Sequence, residues 1–391
     1  MLELKEGKPR RILPVKRILL TLVAGGVLLG SGEAWAVPGL SSSDSVKNIV
    51  DMIKVYADRN ENVNVHELEK QLRHRPRQAA QALIDLLDTN NSNVQLQSAM
   101  VLQRLSSSQD FSISDQSLKT LIAILGASRN PQVRAALVTV LGNIGPKNET
   151  VKAAIIGNIN GDYEVATKRS AIEALAKLSQ QEKPGYHRQS TETLISILKD
   201  DDAPSLRQAA ARAIGRFHSD PEIAVPALVS GLEDNYLKVR TECVRSLGYY
   251  KEDGSKAVPA LVRMLDTEPD TSMRSACVYS LRNIGNGDPA IVTKFIELLD
   301  DPTMSRNIMS YLSSFGDKAA PAVPKLIMRL QSTDRYQRQY ACRALGSIGP
   351  KAKEALPALK KATEDSDSSV RRYAQTAINN ISRTSTAPGS M

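Results

Sequence analysis

The stretch DNYLKVRTECVRSLGYY, residues 234–250, sets out an acid, an arginine six residues later and an apolar stripe. With Arg240 as position zero, Val239, Cys243, Leu247 and Tyr250 stand at −1, +3, +7 and +10. At 100° per residue these positions fall on one face of an α-helix. A second stretch, DSDSSVRRYAQTAINNI at residues 365–381, follows the same plan, with Arg371 six after Asp365. One plan written twice points to a repeat and asks whether its charge serves architecture or chemistry.

Sliding the template along the chain finds nine copies, with Gln95, Arg134, Lys168, Arg207, Arg240, Arg274, Ser305, Arg338 and Arg371 at zero. Successive copies are 39, 34, 39, 33, 34, 31, 33 and 33 residues apart, the period of stacked helical repeats. Two copies are weaker. Gln95 replaces the cation in the first, and in the seventh the frame of Met304, Ile308, Leu312 and Phe315 leaves Ser305 in the slot, with Arg306 displaced by one.

A second helix precedes each copy, as in AVPALVSGL (224–232), AVPALVRML (257–265), AVPKLIMRL (322–330) and ALPALKKAT (355–363). Proline is tolerated in a first helical turn, whose N–H groups lack helical partners. Gly145-Pro146 and Gly349-Pro350 stop the slot helices, because glycine permits a left-handed cap and proline blocks continuation. Helix A, an acidic turn, helix B and a Gly/Pro break make one unit, and two helices cannot bury their apolar faces alone. The expected fold is all-α, an α-solenoid of about nine hairpins over residues 76–382. A helical cap at 37–75 precedes it and a disordered tail at 383–391 follows. The two long spacings place polar insertions at 106–115 and 180–189.

The N-terminus reads as an export signal. Arg10, Arg11, Lys16 and Arg17 precede the 13-residue apolar run Ile18–Gly30, and Ala34-Trp35-Ala36 supplies a cleavage site. The run is shorter than the roughly 20 residues a spanning helix needs. Residues 1–36 are therefore expected to be removed on export to a periplasm, the extracellular medium or a thylakoid lumen; an uncleaved membrane anchor is the alternative. The remaining chain has 45 basic and 39 acidic residues, a net charge of +6. Its cysteines, Cys243, Cys277 and Cys342, are odd in number and lack a C-x-x-C. Cys243 and Cys277 hold the +3 position that alanine fills elsewhere, so both are expected as buried free thiols.

The pattern D-x-x-x-x-V-R-x-x-A-x-x-A-L-x-x-I-G with a trailing P-x-L resembles HEAT repeats. Its short period is similar to the HEAT-like subclass named after phycobilisome lyases, over roughly residues 76–382. The resemblance implies that B helices line the concave side of a superhelix, and that slot arginines and turn acids form a ladder within or between repeats. It fits scaffolds, adaptors and enzyme subunits alike. Six before the slot stand Asp162, Asp201, Asp234, Glu268 and Asp365, where a carboxylate suits the N-terminus of helix B.

No catalytic, cofactor-binding or metal-binding constellation emerges. His66, His74, His187 and His218 lack helical pairing with one another, and the His66-Glu67 pair occurs once where the HEAT-repeat di-iron hydroxylases use four. Asp200-Asp201-Asp202 and Asp300-Asp301 lack EF-hand spacing. There is no G-x-S-x-G, G-x-G-x-x-G or Walker A motif.

The outer stripe of helix B is asymmetric. Positions +1, +5 and +9 lie opposite the buried face, and across nine copies they hold nine basic residues and one acid, Glu173. Glutamate forms helices as well as arginine does, so propensity does not explain the missing acids. Arg169, Arg212, Arg216, Arg245 and Arg343, with Tyr249 and Tyr279, form the candidate partner-binding set, since arginine beside tyrosine is enriched at binding hot spots. The expected function is an exported, non-enzymatic scaffold holding an acidic partner, most simply a protein, in a basic concave groove. A membrane surface is an allowed partner and nucleic acid is not expected. The alternative is an enzyme or enzyme subunit resembling the phycobilisome bilin lyases.

Overall fold

The computed structural model describes residues 46–59, 61–145, 149–161, 163–179, 188–285 and 287–383. The export signal, most of the second insertion and the tail from 384 lie outside these residues. Among them the chain is helical without strands, and it divides into two compact units, one ending at Leu178 and one starting at Ser179. The division falls at the second insertion.

The first unit opens with α1 (Val46–Asp58) and α2 (Val65–Leu72), the expected cap. Three hairpins follow: α3 (Pro76–Leu87) with α4 (Ser92–Leu105), α5 (Asp115–Ala127) with α6 (Pro131–Ile144), and α7 (Glu149–Asn160) with α8 (Val165–Ser179). Gln97 of α4 ties the cap loop down, accepting from Val63 N at 2.8 Å and donating to Glu61 O at 3.0 Å.

The second unit has six hairpins. They are α9 (Arg188–Asp200) with α10 (Pro204–Phe217), α11 (Pro221–Ser230) with α12 (Leu237–Tyr249), and α13 (Val258–Thr267) with α14 (Thr271–Ile284). Then come α15 (Pro289–Leu298) with α16 (Ser305–Ser314), α17 (Val323–Arg329) with α18 (Arg335–Ile348), and α19 (Leu356–Ala362) with α20 (Ser368–Ser382). The 3-10 segments Lys251–Ala257 and Gly316–Ala322, and Gly349–Ala355 with a kink at Ala352, lead into α13, α17 and α19, whose prolines sit in the first turn as expected; Pro226 instead lies inside α11, which starts at Pro221 and not at Ala224. Gly349 caps α18 at φ 71°, a left-handed value that suits glycine.

The apolar template lies in the core. Val239, Cys243, Leu247 and Tyr250 are all buried, and so are their counterparts around Arg207, Arg274 and Ser305. Ile144, Gln337 and Ile378 depart from it and are half-buried. Burial raises the thiol pKa of Cys277 and of Cys342 to about 12, so both stay protonated small hydrophobes.

Beyond the template, positions +6 and +8 set the helix spacing. Where glycine holds +8, at Gly142, Gly215, Gly248 and Gly346, it faces a small residue at +6 of the next B helix. A Cβ on Gly215 would lie 2.8 Å from the Cα of Ser246, and one on Gly248 would lie 2.9 Å from Ser280 Oγ. The serines then clip neighbouring helices together: Ser246 Oγ donates to Ala211 O at 2.8 Å and Ser280 Oγ to Val244 O at 2.7 Å. The step from α14 to α16 breaks this rule. Arg282 holds the glycine position and Tyr311 the small one, the guanidinium stacked 5.7 Å from the ring centroid. These two helices approach less closely than the other B pairs of the unit.

The slot arginines answer the opening question. Arg207 donates from Nε and Nη2 to Asp234 of the next repeat at 2.7 and 3.0 Å, and from Nη1 to Asp201 O of its own turn at 2.8 Å. Arg338 repeats this with Asp365 at 2.7 and 2.8 Å and Ser332 O at 2.8 Å. Arg240 reaches Glu268 at 3.5 Å and Asp234 O at 3.0 Å, and Arg274 reaches Asp301 at 3.2 Å. The carboxylate thus comes from the following repeat, 27 or 28 residues on, and the arginine's own turn contributes backbone carbonyl. Gln95 serves the same carbonyl role, donating to Thr89 O at 2.7 Å.

The acid at −6 does not cap helix B. It folds its own turn, as Asp234 accepts from Tyr236 N at 2.8 Å and Asp365 from Asp367 N at 2.9 Å. Capping falls to position −4, where Asn91, Asn130, Asp270, Asp334 and Asp367 accept from first-turn N–H groups.

Candidate partner-binding face

In the second unit no residue at +1, +5 or +9 of a B helix is buried. Arg212, Arg216, Arg245 and Arg343 are exposed, and Tyr249 and Tyr279 are 52% and 49% exposed. Arg169 is also exposed, but it belongs to α8 of the first unit, so the candidate set does not form one described cluster. The group the structure assembles is Arg212 and Arg216 on α10, Arg245 and Tyr249 on α12, and Tyr279 on α14.

These positions are not equivalent electrostatically. A residue at +5 leans toward position +2 of the next B helix. Arg212 meets Glu242 there, 3.1 Å away, with the glutamate side chain 9% exposed. Arg343 instead stacks on Tyr373, 5.8 Å from the ring centroid, and on Tyr340 at 5.7 Å. For Arg245 the corresponding residue is Ala276, which offers neither charge nor ring. Arg216 and Arg245 have no side-chain partner among the described residues. Sequence reasoning missed Glu242 because the stripe ended one position short of it. The signal was present, as position +2 at 200° flanks the stripe directly.

Two Arg/Tyr arrangements therefore lie along the unit. The first carries unpaired charge: Arg216, Arg245, Tyr249 and Tyr279. The second is self-associated: Arg306 lies 5.9 Å from the Tyr336 centroid, and Tyr373 stacks with both Arg343 and Arg372, the latter at 5.1 Å. Arginine held on a ring face keeps its in-plane donors but is less free to adapt.

His66 lies 3.6 Å from Glu69, which is buried beside Arg73 and Arg104. Asp300 is bound by Lys325 and Arg329, each at 2.5 Å, and Asp301 accepts from Thr303 N at 2.9 Å. Among the described residues no group of three His, Cys, Asp or Glu side chains could hold a metal ion, and no helix is long and apolar enough to cross a membrane.

The family model for HEAT repeats matches residues 191–282 and 323–388. The gap between the two matches holds α15 and α16, the hairpin with serine in the slot. None of the curated proteins compared matches the chain. Among solved structures, an engineered protein from the Northeast Structural Genomics Consortium is similar at 21% identity and TM-score 0.51, over 88% of this chain and 99% of its own. Importin beta is similar at 16% identity and TM-score 0.56, over 86% of this chain and 53% of its own. A structure described as Kap95p binding to RanGDP gives 13% identity and TM-score 0.55, over 88% of this chain and 51% of its own. The chain spans about half the length of these last two proteins, and identities this low speak for the fold alone. The match is at the level of HEAT repeats and not of the phycobilisome-lyase subclass. The repeat match and the helical solenoid fold agree, and residues 191–282 and 323–388 read as HEAT repeats.

Proposed function

We propose that this chain is an exported, non-enzymatic scaffold that holds an acidic protein segment against the B-helix face of its second unit. The observation that carries the reading is the exposed, unpaired charge of Arg216 and Arg245 beside the half-exposed rings of Tyr249 and Tyr279. Exposed arginine beside tyrosine is the composition enriched at interface hot spots once a partner covers it. Apart from the α14–α16 step, the B helices of this unit also approach one another more closely than its A helices do. Such spacing curves a stack toward the B side, which favours a concave groove there. Export rests on the sequence of residues 1–36; cleavage after Ala36 leaves a chain starting at Val37, which intact mass of the native protein reads.

Poly-L-glutamate is a suitable probe. The wild type is expected to bind it at low ionic strength and to release it as salt rises, since exposed charge pairs are screened. The double variant Arg216→Glu/Arg245→Glu should bind at least about tenfold more weakly with an unchanged melting curve. Ala276→Glu should give part of that loss by supplying Arg245 with the partner that Glu242 gives Arg212. A double variant that folds and binds as tightly as the wild type contradicts the proposal. Binding of anionic vesicles in place of the polypeptide would move the reading to a membrane surface.

A further inference from the structure

We infer that the segment held by Arg216, Arg245, Tyr249 and Tyr279 is an acidic, proline-rich stretch in the polyproline II conformation, with carboxylates three residues apart. This rests on the acidic-partner reading and adds the partner's conformation and spacing.

The packed helices provide a ruler. Gly215 against Ser246 and Gly248 against Ser280 hold α10, α12 and α14 in close contact, and packed helices of this kind lie about 8–10 Å apart. Each helix presents position +5 or +9 to solvent, so the side chains form rows that cross the helices with that spacing. Arg216 and Arg245 are one helix apart and one turn out of register, an offset their long flexible arms absorb. Tyr249 and Tyr279 are likewise one helix apart.

Three ligand conformations present same-side groups at different intervals. A β-strand repeats every second residue, about 6.7 Å. An α-helix repeats every turn, about 5.4 Å, and reaches about 10.5 Å only at every seventh residue. Polyproline II repeats every third residue, about 9.3 Å, which matches one helix spacing at each turn.

The tyrosines supply the second reason. Their rings are half exposed, and their hydroxyls have no partner among the described residues. Polyproline II has no internal hydrogen bonds, so its carbonyls are free to accept, and its proline rings dock on aromatic faces. A pair of tyrosines one helix apart offers ring and hydroxyl together at the same interval at which the arginines offer charge. The preformed conformation also lowers the ordering cost of binding.

The test uses the whole chain and fluorescence anisotropy with labelled synthetic peptides at fixed low salt. One peptide repeats Glu-Pro-Pro; a second has the same composition with all glutamates in one block; a third is an α-helical peptide with glutamates at every seventh residue. The Glu-Pro-Pro peptide is expected to bind about tenfold more tightly than either other peptide. Tyr249→Ala/Tyr279→Ala should erase that preference while leaving weak, salt-sensitive binding of all three. Equal affinities for the three peptides on the wild type would overturn the spacing inference and leave an acidic-partner surface standing. Preference for the helical peptide would overturn it in favour of a helical partner. No binding of any peptide would remove both this inference and the reading beneath it.

Discussion

Phe295→Ala is expected to destabilise the second unit by about 3–5 kcal/mol, the range for truncating a buried phenylalanine. Phe295 is fully buried on α15, its ring stacked on Phe315 at 5.8 Å and tilted against Tyr311 at 6.2 Å. This aromatic column stands where the repeat is irregular. Ser305 occupies the slot, so no arginine passes charge to the next turn; Ser305 Oγ donates to Gln337 at 3.0 Å instead. Arg282 and Tyr311 also replace the small-residue contact that holds other B helices of the unit close. With both devices missing, aromatic packing carries this hairpin. Repeats touch only their neighbours, so a weakened seventh hairpin should also broaden or split the unfolding transition. Calorimetry of Phe295→Ala should show a midpoint about ten degrees lower. Met328→Ala, at a 69% exposed side chain, should stay within about 0.5 kcal/mol of the wild type. An unchanged midpoint for Phe295→Ala would show that the column is dispensable.

Breaking the ladder should cost nearly as much. Asp365→Ala removes both carboxylate bonds to Arg338, whose side chain is only 14% exposed, and leaves a largely buried guanidinium with backbone carbonyls alone. The expected loss is about 2–4 kcal/mol. The same pair predicts a pH dependence. Hydrogen bonds from Arg338 outweigh burial and hold the Asp365 carboxyl below the usual carboxylate range. A carboxyl with a lowered folded-state pKa binds its proton more readily when unfolded. Its stabilisation is present above the unfolded value, near pH 4, and fades as pH falls through the lower folded value. Denaturation midpoints measured from pH 6 to pH 2.5 should therefore fall below about pH 4 in the wild type. In Asp365→Asn the fall should be shallower, from a lower starting stability. Parallel pH profiles would mean the carboxyl is not linked to folding.

Much of this was legible in the sequence because a repeat is read many times over. The period, the apolar frame around Arg240 and the weak seventh copy each followed from comparing positions within one chain. What escaped depends on neighbours in space. The acid six before the slot looked like a cap for its own helix, yet Asp234 belongs to Arg207 of the preceding repeat, and no spacing inside one copy reveals that. Glycine at +8 and a small residue at +6 were visible as letters, but only packing shows that Gly215 and Ser246 meet. The candidate binding face was legible as a stripe of charge. Which of its arginines stay unpaired was not, because Glu242 pairs with Arg212 from an adjacent helix while Ala276 leaves Arg245 without such a partner.

Within one helix, α12, two arginines five residues apart are expected to serve opposite tasks. Arg240 donates to Asp234 O and pairs with Glu268, which suits architecture; Arg245 is exposed and unpaired, which suits the proposed binding. The direct measurement is a melting curve and a poly-L-glutamate affinity for each of Arg240→Met and Arg245→Glu. The account predicts a lowered midpoint with unchanged affinity for the first, and an unchanged midpoint with at least several-fold weaker affinity for the second. The reverse pattern, or an Arg245→Glu protein that binds like the wild type, contradicts it.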